Sequence, residues 1–296
     1  MLSIHQPRPG DSALYHLTSA NRTIVGGRLL EFIQQKVVRL TMLGAEEEGT
    51  LWQYELLAQQ VEGAALIHEW AMDMEVLQSP LKILLDEAGK LKDVRNLHEI
   101  RERWDSTYAN TLRKKYRKQQ EGLEELIAAT TELLRDKARF IQSLNGFSAW
   151  RFFFQDNFRG KQGESRQPLL LKGFFGQVDL PLTLTANWME EYGIGEYHCQ
   201  LTHKGELDVQ QFDRKQFARM LKDLTGVYNV SAELEVLMEE EFHYDRRRWL
   251  TGGEMYLETK VSDWYLVASA HVLERIGEEQ AAALKNHFNV AAEHSA

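Results

Sequence analysis

The densest group of chemically reactive side chains is the segment LMEEEFHYDRRRWLTGG, residues 237–253. It contains three glutamates, a histidine, an aspartate and three arginines. Side chains alternate between the two faces of an extended strand, so Glu239, Glu241 and His243 would share one face. Carboxylates and an imidazole are ligand types for a divalent metal ion, so these three residues are the candidate metal ligands.

Spacing and sequence context favour a charged hairpin over that metal site. Neighbours on the same face of a strand are about 7 Å apart, and a compact metal site draws its ligands from several elements. The opposite face of the strand is half aromatic and carries Met238, Glu240, Phe242 and Tyr244. The run DRRR follows where the hairpin must turn, so we predict a solvated strand face with cross-strand Arg–Glu pairs.

The single cysteine is a second candidate for chemistry. Cys199 lies beside His198 and four residues before His203. Adjacent residues of a strand point to opposite faces, and His203 lies too far along the strand to act as a base. We therefore predict a buried structural thiol rather than a nucleophile. With one cysteine there is no intrachain disulfide, which fits a reducing compartment.

Known catalytic motifs are missing from the sequence. The segments LIHEWAMDM and NLHEIRERW contain His-Glu without the second histidine of a zinc protease motif. The sequence shows no nucleophile elbow, phosphate-binding loop, dinucleotide fingerprint or Cys-x-x-Cys pair. We therefore favour a non-enzymatic function and predict no cofactor. The enzyme-class alternative is a hydrolase or metal enzyme that uses His243 with nearby carboxylates.

Residues 147–158 form a dense aromatic cluster. Its members are Phe147, Trp150, Phe152, Phe153, Phe154 and Phe158. One conformation cannot easily bury three consecutive phenylalanines, so part of this cluster is predicted to meet a partner or a ligand. The candidate partner-binding residues here are Trp150, Phe152, Phe153, Phe154 and Phe158. The alternative is that the cluster caps the core where helices meet the sheet.

Residues 113–118, RKKYRK, are the only strongly basic run, and Arg113, Lys114 and Lys115 complete the candidate partner-binding set. An acidic protein surface is the partner that such a run would fit, whereas the alternative is a solvated helix face. The whole chain carries a net charge of −9, which disfavours binding to nucleic acid and to anionic membranes.

Composition indicates a globular chain: of 296 residues, 43% are hydrophobic and 27% are charged. No basic N-terminal region precedes an apolar run, and no run approaches the roughly 18 apolar residues of a membrane-spanning helix. We expect a soluble, cytoplasmic protein without membrane insertion.

The order of predicted elements is strands, then helices, then strands. We divide the chain into a β-rich part (1–95), a helical segment (96–160) and a second β-rich part with one or two helices (168–296). The alternative is that these parts form one continuous domain. Residues 160–168 are predicted to form a loop and residues about 211–224 a helix. A faint internal repeat would superpose Gly89 on Gly205, each in a strand–turn–strand–helix unit.

These elements predict an α+β fold in which a long, curved, mostly antiparallel sheet packs on a central helical segment, like a half-barrel. This order of elements resembles the half-barrel proteins that wrap a sheet around helices, such as the bacterial lipoprotein carriers; the resemblance covers no diagnostic motif.

Two functions remain open. The first is a protein-binding module, such as an adaptor, an assembly factor or an immunity-type protein. The second is a carrier that holds an apolar ligand between the concave sheet and the helices. A continuous apolar cavity under the sheet would favour the carrier, and a solid core with an exposed aromatic patch would favour the module.

Overall fold

The computed structural model describes residues 7–63, 66–118, 122–154, 163–192, 197–226, 233–262 and 264–294. The strands are β1 Ser12–Val25, β2 Arg28–Glu46, β3 Gly49–Glu62, β4 Leu81–Leu85, β5 Leu91–Val94, β6 Gly163–Leu171, β7 Leu180–Tyr192, β8 Tyr197–Leu207, β9 Glu235–Tyr244, β10 Leu250–Val261 and β11 Tyr265–Ile276. The α-helices are α1 Leu66–Gln78, α2 Leu97–Arg103, α3 Ala109–Lys115, α4 Leu123–Arg135, α5 Lys137–Leu144, α6 Arg214–Thr225 and α7 Glu278–His294. A π-helical segment, Trp104–Tyr108, joins α2 to α3, and a 3-10 helix spans Ala149–Phe152.

All eleven strands belong to one open sheet in the order β5-β4-β3-β2-β1-β11-β10-β9-β8-β7-β6. Every pair of neighbouring strands is antiparallel. Two meanders, one from each β-rich part of the chain, are therefore joined at the centre by pairing of β1 with β11. This confirms the predicted α+β fold class, with a long, curved antiparallel sheet packed on helices.

Local sequence explains the helices that cover this sheet. In α4 the buried positions recur every three or four residues, which places them on one helical face: Leu123, Ile127, Thr130 and Leu134. Asp136 is extended and accepts a hydrogen bond from the Arg139 amide at 3.0 Å, so the predicted second helical run is divided into α4 and α5. Asp213 caps α6 in the same way through the Gln216 amide at 2.9 Å.

The face of the sheet that the helices α1–α6 cover, here called the inner face, carries two apolar clusters. Cluster 1 joins strands at the sheet centre and on both sides of it to α1–α5, and its fully buried members include Tyr15, Ile100 and Phe140. Cluster 2 joins β7, β9, β10 and β11 to α6, and it includes Leu180 and Phe217. The opposite, outer face is covered by α7 over β1–β3 and is otherwise largely polar.

A row of polar side chains separates the two clusters. The row crosses the five neighbouring strands β8, β9, β10, β11 and β1, and each member pairs directly with the next: His203, Glu240, Met255, His271 and Ser19. Four of these five side chains are polar, and all five are buried. The inner face therefore has a buried polar row between two apolar regions, and this row positions the candidate site.

The structure corrects the loop predicted for residues 160–168. Residues 163–168 belong to β6, which pairs with β7 at one edge of the sheet. Pro168 is tolerated because an edge strand has one side without a ladder partner. Residues 160–162 lie outside the described residues.

The predicted superposition of Gly89 on Gly205 is also wrong. Gly89 lies in a tight turn with a φ of +89°, between β4 and β5. Gly205 lies inside the continuous strand β8, where a Cβ atom would come within 2.8 Å of the Met238 sulfur. Close packing, rather than a turn, requires that glycine.

Candidate functional site

A buried ion-pair network stands at one end of the polar row. Arg151, from the 3-10 helix, donates from Nε to Oε1 of Glu240 at 2.6 Å and from Nη2 to Oε2 at 2.9 Å. Nδ1 of His203 lies 2.8 Å from the same Oε2. Since a carboxylate accepts, His203 donates its Nδ1 proton. The Glu240 side chain has no exposed surface, so its charge is balanced entirely inside the protein.

Electrostatics keep Glu240 ionised in this position. Burial alone would raise the pKa of its carboxyl group. The positive charge of Arg151 and the hydrogen bonds from His203 and Arg151 outweigh burial and lower the pKa to about 2. The network therefore fixes Arg151, and with it the 3-10 helix, against β9.

A histidine–serine pair occupies the other end of the row. Nδ1 of His271 lies 2.8 Å from the Ser19 hydroxyl oxygen. Burial lowers the pKa of His271 to about 4, and the nearby charge of Lys36 contributes in the same direction, so the ring is neutral at pH 7. Nε2 of His271 is buried and has no hydrogen-bond partner within the described ranges. Since no carboxylate among the described residues bonds to the ring, the pair as described lacks the arrangement of a catalytic triad.

The row continues on the side of β2 with a second ion pair. Lys36, which is buried on the inner face, binds Oε1 of Glu75 from α1. The other oxygen of Glu75 is buried and accepts no hydrogen bond from the part of the chain that the structure describes. Both ion pairs join a helical element to the inner face, which indicates a role in fixing the helices to the sheet.

A cavity of about 350 Å³ opens beside the Arg151–Glu240 pair, between the β6–β7 edge of the sheet and the helical segment. Its lining is mixed, and six apolar residues contribute to it: Leu144, Phe154, Pro168, Leu169, Leu170 and Leu184. The polar residues that line it are Lys90, Asn145, Arg151 and Gln167. These four groups include two cations and two amides, and among the described lining residues there is no carboxylate.

A wider cleft of about 860 Å³ lies between the turns of the β2–β3 and β4–β5 hairpins. Its rim is acidic, and two of its glutamates are held in ion pairs: Arg95 binds Glu46 at 2.5 Å, and Lys92 binds Glu48 at 3.5 Å. We take the smaller cavity as the candidate site because it lies beside the buried Arg151 and its charged lining residues share one sign.

The structure buries much of the aromatic cluster, for which the sequence left both a partner contact and a core-capping position open. Phe152 and Phe154 are buried, and Trp150 and Phe153 pack partly buried against cluster 1. The chain buries consecutive phenylalanines because a short 3-10 helix ends between them and directs their rings into different parts of the core. Phe152 and Phe154 therefore fit the alternative in which the cluster caps the core, and a role of the cluster in binding a partner stays a prediction. Phe158 lies outside the described residues.

The other predicted site residues lie at the surface. Arg113 binds Glu124 through two hydrogen bonds, and Lys115 binds both carboxylate oxygens of Asp73 at 2.8 Å. Lys114 is exposed. Their role in binding a partner stays a prediction.

The candidate metal ligands lie on the outer face, as the alternation predicted: Glu239 and His243 are exposed, and Glu241 is half-buried. His243 Nε2 lies 2.8 Å from Glu241. Within the described ranges, no group of three or more His, Cys, Asp or Glu side chains is placed to hold a metal ion. Cys199 is buried on the inner face, in cluster 1.

The sequence interpretation missed Arg151 and Glu240 as a pair. A signal was present, because each is a charged residue inside an otherwise apolar pattern: AWRFFF for Arg151, and alternation with Met238 and Phe242 for Glu240. A charge on a buried face needs a partner of opposite sign. That rule indicates that both have partners, but it does not say that they pair with each other.

Comparisons with known proteins give no family. No protein-family model matches the chain, and no curated protein matches it. The chain is similar to a lipovitellin structure on lipid–protein interactions, at 9% identity and a TM-score of 0.48, over 91% of this chain and 25% of that chain. It thus spans about a quarter of the lipovitellin chain.

A second similar structure is DynF from the dynemicin biosynthesis pathway of Micromonospora chersina. The identity is 7% and the TM-score is 0.21, over 93% of this chain and 85% of that one. Both TM-scores are too low to assign a fold or a function to this chain. None of the helices in the described ranges is both long and apolar enough to cross a lipid bilayer.

Proposed function

We propose that the protein binds an apolar small molecule with an acidic group, in the cavity between the β6–β7 edge and the helical segment. The observation that carries this proposal is the cavity itself, whose mixed lining includes six apolar residues and whose charged lining residues are both cations. Its volume of about 350 Å³ lies in the range of small-molecule sites, roughly 300–1,000 Å³.

The walls explain an apolar ligand. Leu144 and Phe154 come from the helical segment, and Leu169 and Leu184 come from the sheet, so a ligand would contact apolar side chains of both layers. Each methylene group that leaves water for such a site contributes about 0.8 kcal/mol.

The polar lining explains an acidic group. Lys90 is exposed, whereas Arg151 is buried and already gives two N–H groups to Glu240. Lys90 therefore carries the larger share of charge selection, and the amides of Asn145 and Gln167 supply uncharged donors. An exposed cation contributes modestly, so the apolar walls should dominate the affinity.

The first test is binding of a fluorescent fatty acid, dansylundecanoic acid. Leu169→Trp places a larger side chain on the cavity wall of an edge strand, and it should weaken binding about tenfold or more by occupying ligand volume. The matched control is Leu237→Trp, at a half-exposed position on the outer face of β9, which should leave the affinity unchanged. If the wild type shows no saturable fluorescence change, or if both variants lose binding equally, the proposal is wrong.

The second test addresses the acidic group. The methyl ester of the same probe should bind more weakly than the acid, and Lys90→Ala should reduce that preference by a few fold. An ester that binds as tightly as the acid would reject the acidic group while leaving the apolar site in place.

The protein-binding module remains an untested prediction. The burial of Phe152 and Phe154 removes one of its premises, because core side chains are not available to a partner in this conformation. The cytoplasmic location is likewise still a prediction.

A further inference from the structure

The tip of the β1–β2 hairpin exposes large apolar side chains on both of its faces. Leu29 is 50% exposed and Leu30 is 58% exposed. Consecutive residues of a strand point to opposite sides, so one leucine faces the inner side and the other the outer side. Ile33 on β2 and Ile67 on α1 add exposed apolar surface next to this tip, where Phe32 stacks on His68 with ring centroids 3.7 Å apart.

The hairpin tip extends beyond the adjoining strand on one side. The ladder of β2 with β3 ends at the pair Ile33–Glu62, and beyond it Gly63 lies against the Glu31 carbonyl. Within the described residues, that leaves only 28–30 of β2 free along this edge. A strand in a sheet usually has about five or six residues, so this edge is too short to bind an added strand.

The charges at the tip differ from those of the whole chain. Arg28 is exposed beside the Gly26–Gly27 turn, and Arg22 is half exposed and pairs with Glu31 at 3.2 Å. The tip therefore carries a small positive excess in a chain with a net charge of −9. Arginines next to exposed apolar residues suit a surface with negative headgroups above hydrocarbon.

We propose that this hairpin tip, residues 22–33, docks into the surface of a lipid bilayer that contains anionic lipids. A flat protein partner would cover Leu29 or Leu30, whereas lipid surrounds both faces of a thin hairpin. The contact is interfacial, because unpaired strand edges are not tolerated deep in hydrocarbon. This surface is independent of the cavity: the tip residues 22–33 include none of the residues that line it.

Flotation with lipid vesicles tests the proposal. The wild type should float with vesicles of phosphatidylcholine and phosphatidylglycerol, and the double variant Leu29→Ser/Leu30→Ser should bind about tenfold or more weakly. The control is Leu237→Ser/Val272→Ser, which removes two exposed apolar residues from the outer face elsewhere and should float like the wild type. Arg28→Glu should reduce binding to these vesicles more than to vesicles of phosphatidylcholine alone.

Three outcomes would overturn the proposal: wild-type protein that does not float, equal loss of flotation in the control variant, or a wild-type dimer in light scattering that Leu29→Ser/Leu30→Ser converts to a monomer. Dansylundecanoic acid should bind equally to the wild type and to the Leu29→Ser/Leu30→Ser variant. The Leu169→Trp variant should still float. The experiments therefore distinguish a failure of the ligand-binding proposal from a failure of the membrane-docking proposal.

Discussion

Individual buried charges in this protein are held by partners from distant parts of the chain. Strand alternation correctly places Glu240 with Met238 and Phe242, apart from Glu239, Glu241 and His243. The sequence does not reveal that Arg151, 89 residues away, supplies the opposite charge. That pairing depends on where the 3-10 helix crosses the sheet, which is a long-range property of the fold.

At the scale of one residue, His271 should make stability depend on pH. Its pKa is about 4 in the folded protein and about 6.5 in an unfolded chain, so the unfolded state takes up a proton first as pH falls. The free energy of unfolding is therefore highest above pH 6.5, and it should fall by about 3 kcal/mol as the pH is lowered towards 4. Urea unfolding at several pH values in this range gives the free energy of unfolding as a function of pH. That free energy should fall less steeply with decreasing pH in His271→Asn, a variant that keeps a hydrogen-bonding group near Ser19.

The exposed Leu237 on the outer face provides the comparison, because Leu237→Asn changes no titratable group and should leave the pH dependence of the unfolding free energy as in the wild type. An unchanged slope in His271→Asn would mean that another group causes the acid sensitivity. The contribution of Glu240 falls in a different pH range. Because its pKa is about 2 in the folded protein, the stability that it provides is lost only between about pH 4.5 and 2.

The elements fit together through a few close approaches that composition does not reveal. Sequence patterns correctly predict the β4–β5 turn with the helix after it, and α6. They did not predict β6, because the short polar run before Pro168 is typical of a loop and because an edge strand needs fewer local signals. Nor did they predict that the 3-10 helix would lie directly on β10 at a glycine.

Gly253 is the point of that contact. A Cβ atom there would lie 2.7 Å from the Glu241 carbonyl oxygen and 3.0 Å from the Phe152 ring. Gly253→Ala should therefore reduce the free energy of unfolding by about 1–3 kcal/mol, because both neighbours are held in place. Gly252→Ala is the control: its nearest contact is an ordinary 3.4 Å, and its stability in urea should match the wild type. Equal stability of both variants would show that the 3-10 helix can move.

In the whole molecule, pairing of the first with the last strand decides the architecture. Local patterns predict two β-rich parts around helices, but they do not show that these parts merge into one sheet. The β1–β11 ladder joins residues such as Leu14 and Ile276, and no short-range signal marks such a pair. The fold class was therefore predictable, whereas the strand order was not.

Strand order in turn predicts how local stability varies. The strands β1 and β11 have partners on both sides, whereas β6 is an edge strand with β7 as its partner. Hydrogen exchange should therefore be slowest in the paired amides of β11 and much faster in those of β6. Protection of β6 equal to that of β11 would mean that something covers this edge.

The central ladder also affects how the protein is made. A ribosome synthesises β1 early and its partner β11 only after the nine strands that lie between them in the chain. Until then β1 presents a long unpaired edge, and the two meanders are separate growing sheets. Such edges favour wrong pairing and aggregation of nascent chains. This protein should therefore complete its fold only after release of β11 from the ribosome, and it should depend on chaperones that shield strand edges during translation.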